Sequence, residues 1–103
     1  MARVIITTAA DADTNEILND LTTKAGLPTA TKYERLFDKL IDLLADYPAI
    51  GAPRPALGPH VRISIVLPYI VIYSHNKDDD TVTLLRILYG RRNITRALVG
   101  EEN

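Results

Sequence analysis

The 103-residue chain contains no cysteine. That absence removes disulfides, thiol catalysis and thiolate zinc sites together, and it suits a reducing compartment. Serine is nearly as scarce. Ser64 and Ser74 are the only two, both inside strand-like stretches and neither on a strained turn, so a serine nucleophile has no support. There is no GxGxxG and no Walker loop to cradle phosphates. No apolar run approaches the ~20 residues needed to cross a bilayer. The stretch MARVIITTAADADTNE meets its first acid at Asp11, too early for a secretory signal. Neither sign of charge dominates, with 12 Lys and Arg against 13 Asp and Glu. This excludes a surface given over wholly to nucleic acid. The expectation is one cytoplasmic domain over residues 1–103, with no membrane segment, cofactor or metal.

Charge is polarised along the chain. Residues 1–50 carry five basic and eight acidic side chains, and residues 51–103 carry seven and five. The β-branched stretch Arg3 to Thr8 suggests a first strand. A helix follows between Ala9 and Ala25, with Ile17, Leu18, Leu21 and Ala25 at helical spacing. Asp11 and Asp13 suit its positive N-terminal end, and Gly26 can close it in a left-handed cap. Leu27-Pro28-Thr29 then forms the turn. The second helix shows the clearest period, with Tyr33, Leu36, Phe37, Leu40, Ile41, Leu44 and Tyr47 on one wide face. Pro28 in its first turn and a Thr31–Glu34 capping box are both possible starts, and the helix stops before Pro48. Glu34, Asp38, Asp42 and Asp46 recur beside the apolar stripe as a solvated face. So short a connection makes the two helices an antiparallel hairpin that needs a partner layer.

The sheet supplies that layer. Pro48 to His60 holds four prolines and two glycines before His60 and is expected to be irregular. Three strands follow as an antiparallel meander: Val61 to Val66, Tyr69 to Ser74 and Thr81 to Tyr89. In the third, strict alternation puts Thr83, Leu85, Ile87 and Tyr89 on one face and Val82, Leu84, Arg86 and Leu88 on the other. Both faces look covered, as in an interior strand. A short helix-compatible segment ends the chain. The fold class is therefore α+β, with an N-terminal strand, a helical hairpin, a three-stranded meander and a short C-terminal helix.

Several groups could carry chemistry. His60 and His75 flank the first meander hairpin and could approach one another as an acid–base pair. Asp78, Asp79 and Asp80 lack the glycine and glutamate of a calcium loop and fit a solvated turn. The cationic cluster is more distinctive: Arg86, Arg91, Arg92 and Arg96 fall within eleven residues that contain no acid. Alternation can place Arg62 on the Arg86 face of the sheet. Such a cluster needs a partner from outside its own segment, and guanidinium forks suit carboxylates and phosphates alike.

The helical hairpin after a first strand, the Pro48–Ala52 loop, the Tyr69-x-x-x-Tyr73 strand and the stretch Leu85-Arg86-Ile87-Leu88-Tyr89-Gly90-Arg91-Arg92-Asn93-Ile94 resemble the RelE/ParE toxin superfamily. The last stretch is similar to that family's RVLHGRRDI ending, with Tyr89 in place of histidine and Asn93 in place of aspartate. The resemblance implies a toxin of a bacterial type II toxin-antitoxin pair, neutralised by a partner that wraps around it. RelE-like members cleave mRNA on the ribosome, and ParE-like members poison DNA gyrase. Ile70 stands where the ribonucleases carry an arginine, Arg54 is the only cation in the loop before the meander, and Ile94 to Gly100 holds no aromatic residue. The resemblance therefore implies the ParE-like branch, a non-enzymatic inhibitor of gyrase with a ParD-like antitoxin. The runner-up is a ribosome-dependent endoribonuclease. Arg62, Arg86, Tyr89, Arg91, Arg92 and Arg96 are the expected partner-binding residues, and direct contact with nucleic acid is left undecided.

Overall fold

The computed structural model describes residues 1–90. The expected C-terminal helix, and with it Arg91, Arg92 and Arg96, lies outside the described residues. The elements are β1 (Arg3–Ile6), α1 (Thr8–Ala25), α2 (Leu27–Asp46), β2 (Ala52–Pro53), a 3-10 turn at Pro55–Leu57, β3 (Val61–Val66), β4 (Tyr69–Asn76) and β5 (Thr81–Tyr89). They form the expected α+β arrangement. The five strands lie in the order β1-β5-β4-β3-β2, with β3, β4 and β5 as an antiparallel meander and β1 parallel to β5. Among the described residues no helix is long and apolar enough to cross a membrane.

Local chemistry sets where the first elements stop. The sequence suggested a strand through Thr8, but Thr7 leaves the ladder and becomes the N-cap of α1. Its hydroxyl accepts the Ala10 N–H at 3.0 Å, satisfying a donor that has no partner within the helix. Gly26 has a positive φ of 94° with ψ 160°, so it is not left-handed helical, yet it donates its N–H to Thr22 O and ends α1. It is also the N-cap of α2. The expected Leu27-Pro28-Thr29 turn is instead the first turn of α2, where the missing N–H of Pro28 costs nothing. Thr31 lies inside that helix, so the capping-box start is not used.

The hairpin covers one face of the sheet. Phe37, Leu40 and Leu44 of α2 and Ala10 of α1 pack on Tyr69, Val71, Tyr73, Val82, Leu84 and Ile87. Leu36 and Tyr47, at the margins of the predicted stripe, are exposed, and so are Glu34, Asp38, Asp42 and Asp46. A second cluster of Val61, Ile72, Leu85 and Leu88 forms on other residues of the same strands, with Leu57, Ile63 and Ile70 against it. Strict alternation along β5 fails at one point. A bulge separates the Tyr73–Leu84 pair from the Ile72–Arg86 pair and leaves Leu85 as the extra residue. Beyond it Ile87 joins Val82 and Leu84 in the hairpin-side core, while Leu85 and Leu88 join the second cluster.

The Pro48 to His60 segment is less irregular than its prolines suggest. It contains β2, which pairs antiparallel with β3, and the 3-10 turn. Its entrance is strapped to the sheet by one phenol. The Tyr73 hydroxyl donates to Pro48 O at 2.7 Å and accepts the Gly51 N–H at 2.9 Å. A Cβ at Gly51 would lie 2.5 Å from that hydroxyl and 2.6 Å from Ile63 O, so only glycine lets the loop approach this closely.

Tyr73→Phe would leave the buried Gly51 N–H without its acceptor and should destabilise the fold by about 1–3 kcal/mol, read from the urea midpoint. Burial also raises the Tyr73 pKa above the ordinary 10.0, partly offset by the Gly51 N–H bond and the Arg62 charge. The folded state therefore keeps this phenol protonated after the unfolded chain has begun to ionise. Its contribution is complete below pH 10.0 and is lost as pH rises past that value. The urea midpoint should fall above this pH, and fall less in Tyr73→Phe.

Candidate functional site

Strand β1 covers β5 only from Thr81 to Leu84. Where it ends, α1 takes over the same edge. Thr7 donates its N–H to Leu84 O at 3.2 Å and its hydroxyl to Leu85 O at 3.1 Å. Two turns into the helix, Asp13 continues the contact. Arg86 donates from Nε to Asp13 Oδ2 at 2.7 Å and from Nη2 to Oδ1 at 2.9 Å, and the Ile87 N–H donates to Oδ2 at 3.0 Å. Asp13 is buried, and both carboxylate oxygens accept charge-assisted bonds from one fork. These bonds hold the Arg86 pKa above its ordinary value against the opposing effect of burial.

Asp13 was placed by sequence as a residue favouring the helix N-terminus. The structure gives it a different task. The cationic cluster was expected to find its counter-charge outside its own segment, and for Arg86 that counter-charge is Asp13, 73 positions earlier in the same chain. A signal for this was present: Ala10, Asp13, Ile17 and Leu21 follow a 3-4-4 spacing, so the acid falls on the inward stripe of α1. A carboxylate there calls for a buried cation or donor.

The other predicted site residues separate. Arg62 stands opposite Tyr73 in the ladder, whereas Arg86 stands opposite Ile72, and β4 lies between their strands. Tyr73 and Ile72 pack in different clusters, so the structure does not bring Arg62 and Arg86 together. Arg62 instead donates through Nη1 to Ala49 O at 3.1 Å and Gly51 O at 2.7 Å, bracing the loop that Tyr73 straps. Tyr89 is 44% exposed at the end of β5. Its ring meets Tyr69 edge-on at 6.2 Å, and Tyr69 in turn meets Tyr33 and Phe37 at 5.6 and 5.8 Å. This aromatic run connects the hairpin core to the point where the chain leaves the sheet at Gly90.

The histidines do not form an acid–base pair by their rings. The backbones of His60 and His75 are bonded, but the His75 ring contacts Asp80 Oδ1 at 2.9 Å through Nε2. Asp78 and Asp79 are exposed in the β4–β5 turn. Among the described residues no group of three or more His, Asp or Glu is placed to hold a metal.

A family model described as the ParE toxin of the type II toxin-antitoxin system parDE matches residues 4–94. The chain belongs to the ParE toxin family. It is similar to Toxin ParE3 of Caulobacter vibrioides, with 32% identity over 98 residues covering 95% of this chain and 96% of that protein. Its fold is similar to a chain of the chromosomal ParDE TA system from P. aeruginosa, at a TM-score of 0.72 and 23% identity, covering 86% of this chain and 96% of that one. The expected superfamily, its ParE-like branch and the α+β class are thus all found. The chain is a toxin of the type II class, whose partner is an antitoxin.

Asp13→Ala would leave the Ile87 N–H without its acceptor and remove the carboxylate that the Arg86 fork grips. A fully buried pair broken this way costs ~3–5 kcal/mol. The Arg86 side chain is 20% exposed, so about 2–4 kcal/mol is expected here, measured from the urea midpoint. Asp13→Asn, which keeps one acceptor oxygen, should cost less than Asp13→Ala.

Proposed function

We propose that this ParE family toxin acts in the cytoplasm by binding DNA gyrase, without catalysis, and that a ParD-like antitoxin neutralises it. The supporting observation is how few groups are left for phosphodiester cleavage among the described residues. The position that follows the first tyrosine of β4 is Ile70, which packs in the second apolar cluster. Arg62 is committed to loop carbonyls and Arg86 is gripped by Asp13. His75, half of the acid–base pair that the sequence offered, has its ring on Asp80. Each missing stabiliser of a developing charge costs an enzyme orders of magnitude in rate, so a remnant set of one or two arginines gives little catalysis.

The same chemistry favours docking. Arg91, Arg92 and Arg96 follow Tyr89 and Gly90 closely in sequence with no acid among them. Guanidinium and tyrosine side chains are the groups most enriched among residues that dominate protein interfaces. On this proposal Tyr89 and the three arginines form the target-binding end, and Arg86 supports it from within the sheet.

Two assays separate the proposal from its ribonuclease alternative. Purified chain should inhibit supercoiling by gyrase and leave ribosome-bound mRNA intact; cut message beside unaffected gyrase would reverse the assignment. Arg91→Ala combined with Arg92→Ala should weaken gyrase inhibition by at least about tenfold without shifting the thermal unfolding midpoint. Full potency in that folded double variant would remove both arginines from the mechanism.

A further inference from the structure

One edge of the sheet is β1, which has no neighbouring strand on its far side among the described residues. Arg3 and Thr7 turn their N–H groups inward, to Asp80 O at 3.0 Å and Leu84 O at 3.2 Å. Alternation sends Ile5 inward with them and leaves the N–H and C=O of Val4 and Ile6 facing outward. This open stretch is closed at both ends. Ala2 donates its N–H to Ala45 O at the end of α2, and Thr7 caps α1.

The side chains of the edge are apolar on both faces. Val4 and Ile6 stand beside Val82 and Leu84 on the hairpin side, and Ile5 stands beside Thr83 on the opposite face. Ile5 is 42% exposed and Ile6 50%. An uncovered edge of β-branched residues is a template for another strand, and proteins commonly blunt one with charge, proline or a very short strand. The other edge, β2, is only two residues long and ends in Pro53. β1 has no such protection beyond Arg3, its only charge.

We propose that β1 is a self-association edge, on which a second copy of this chain pairs antiparallel about a two-fold axis through Ile5. Val4 of each copy stands opposite Ile6 of the other, and the two pairs exchange four main-chain bonds. The two Ile5 side chains meet across the axis on one face, and Val4 meets Ile6 on the hairpin side. A second copy suits this edge because the open groups lie symmetrically about Ile5, and an isologous contact needs that symmetry. Charge agrees. The register sets Arg3 opposite Thr7 of the other copy and about 14 Å along the strand from the second Arg3, beyond the ~8 Å Debye length at physiological salt. The next charge after Thr7 in sequence is Asp11, an exposed acid. Two four-residue strands bury less than the ~1,200 Å² of a standard interface, so the dimer is of the weak, concentration-dependent class. It joins two five-stranded sheets into one and does not rest on the gyrase assignment.

The test is analytical ultracentrifugation of the purified intact chain, with no antitoxin present, together with amide hydrogen exchange. Sedimentation should show a monomer–dimer equilibrium between about 10 μM and 1 mM. Over the same range the Val4 and Ile6 amides should exchange more slowly as concentration rises, while the Ile5 amide, already facing β5, keeps its rate. Ile5→Lys sets two ammonium groups across the axis and should weaken the dimer at least about tenfold, with an unchanged circular dichroism spectrum. If that variant does not fold, the exchange measurement on the parent chain decides the matter. A chain that stays monomeric up to about 1 mM overturns the proposal. So does a dimer whose Val4 and Ile6 amides exchange no more slowly than in the monomer, or a folded Ile5→Lys that dimerises as the parent does. Slowing of those amides only when the antitoxin is added would give the edge to that partner and overturn it too.

Discussion

One carboxylate holds the end of the sheet in place. Asp13 reaches from the second turn of α1 to the bulged edge of β5, where it accepts two bonds from the Arg86 fork and one from the Ile87 N–H. The contact lies beyond the reach of β1, which is only four residues long and stops at Leu84 of its partner. Thr7 begins the substitution by bonding to Leu84 and Leu85, and Asp13 completes it. Helix and strand thus share an edge through side chains rather than through a ladder. A backbone ladder repeats along its whole length, but this junction depends on Thr7 and Asp13 and is correspondingly sensitive to either.

The bulge is the counterpart of that junction on the strand. Strict alternation through β5 would send Leu85 and Ile87 to one face and Leu84 and Arg86 to the other. Inserting Leu85 as an unmatched residue resolves the conflict: Leu84 and Ile87 both reach the hairpin-side core, and Leu85 and Leu88 both reach the second cluster. Arg86 falls at the turning point, where its fork meets Asp13. The charged residue and the irregularity in the sheet are therefore one feature. An apolar residue at position 86 would leave the buried Asp13 carboxylate with the Ile87 N–H alone to balance it.

Periodicity made most of the architecture legible. The apolar stripe of α2 from Tyr33 to Leu44 and the alternating residues of β3 and β4 fixed the helical layer, the meander and the residues that face each other. Signals of this kind repeat over many residues, so one exception does not erase them. The misreadings occurred where a single residue decides. Thr8 follows five strand-compatible residues and could have extended them, but the hydroxyl of Thr7 finds a better partner in the Ala10 N–H. Pro28 looked like part of a turn, yet a positive φ at Gly26 reverses the chain in one residue and leaves Pro28 to open α2. The bulge at Leu85 has no composition of its own, since every residue around it is a good strand former. Asp13 was the one member of the site that a stricter reading of the helical spacing could have found. Arg62, by contrast, carries no local sign of the loop carbonyls it bonds, because those come from the neighbouring Pro48–Ala52 loop.

Charge organises what remains at the surface near the end of β5. The acids of α1 stand on one side of Tyr89, and Arg91 and Arg92 follow it in sequence after Gly90. Asp20 pairs with Lys24 at 3.1 Å within α1, whereas a partner that satisfies the arginines must carry negative charge. Tyr89 lies between them, as an exposed ring beside Tyr69 and as the last residue of β5 before the arginine-bearing segment. Any partner that covers the Tyr89 ring excludes a second partner that needs the same residue. How that tyrosine is presented depends on how firmly Asp13 fixes the end of β5.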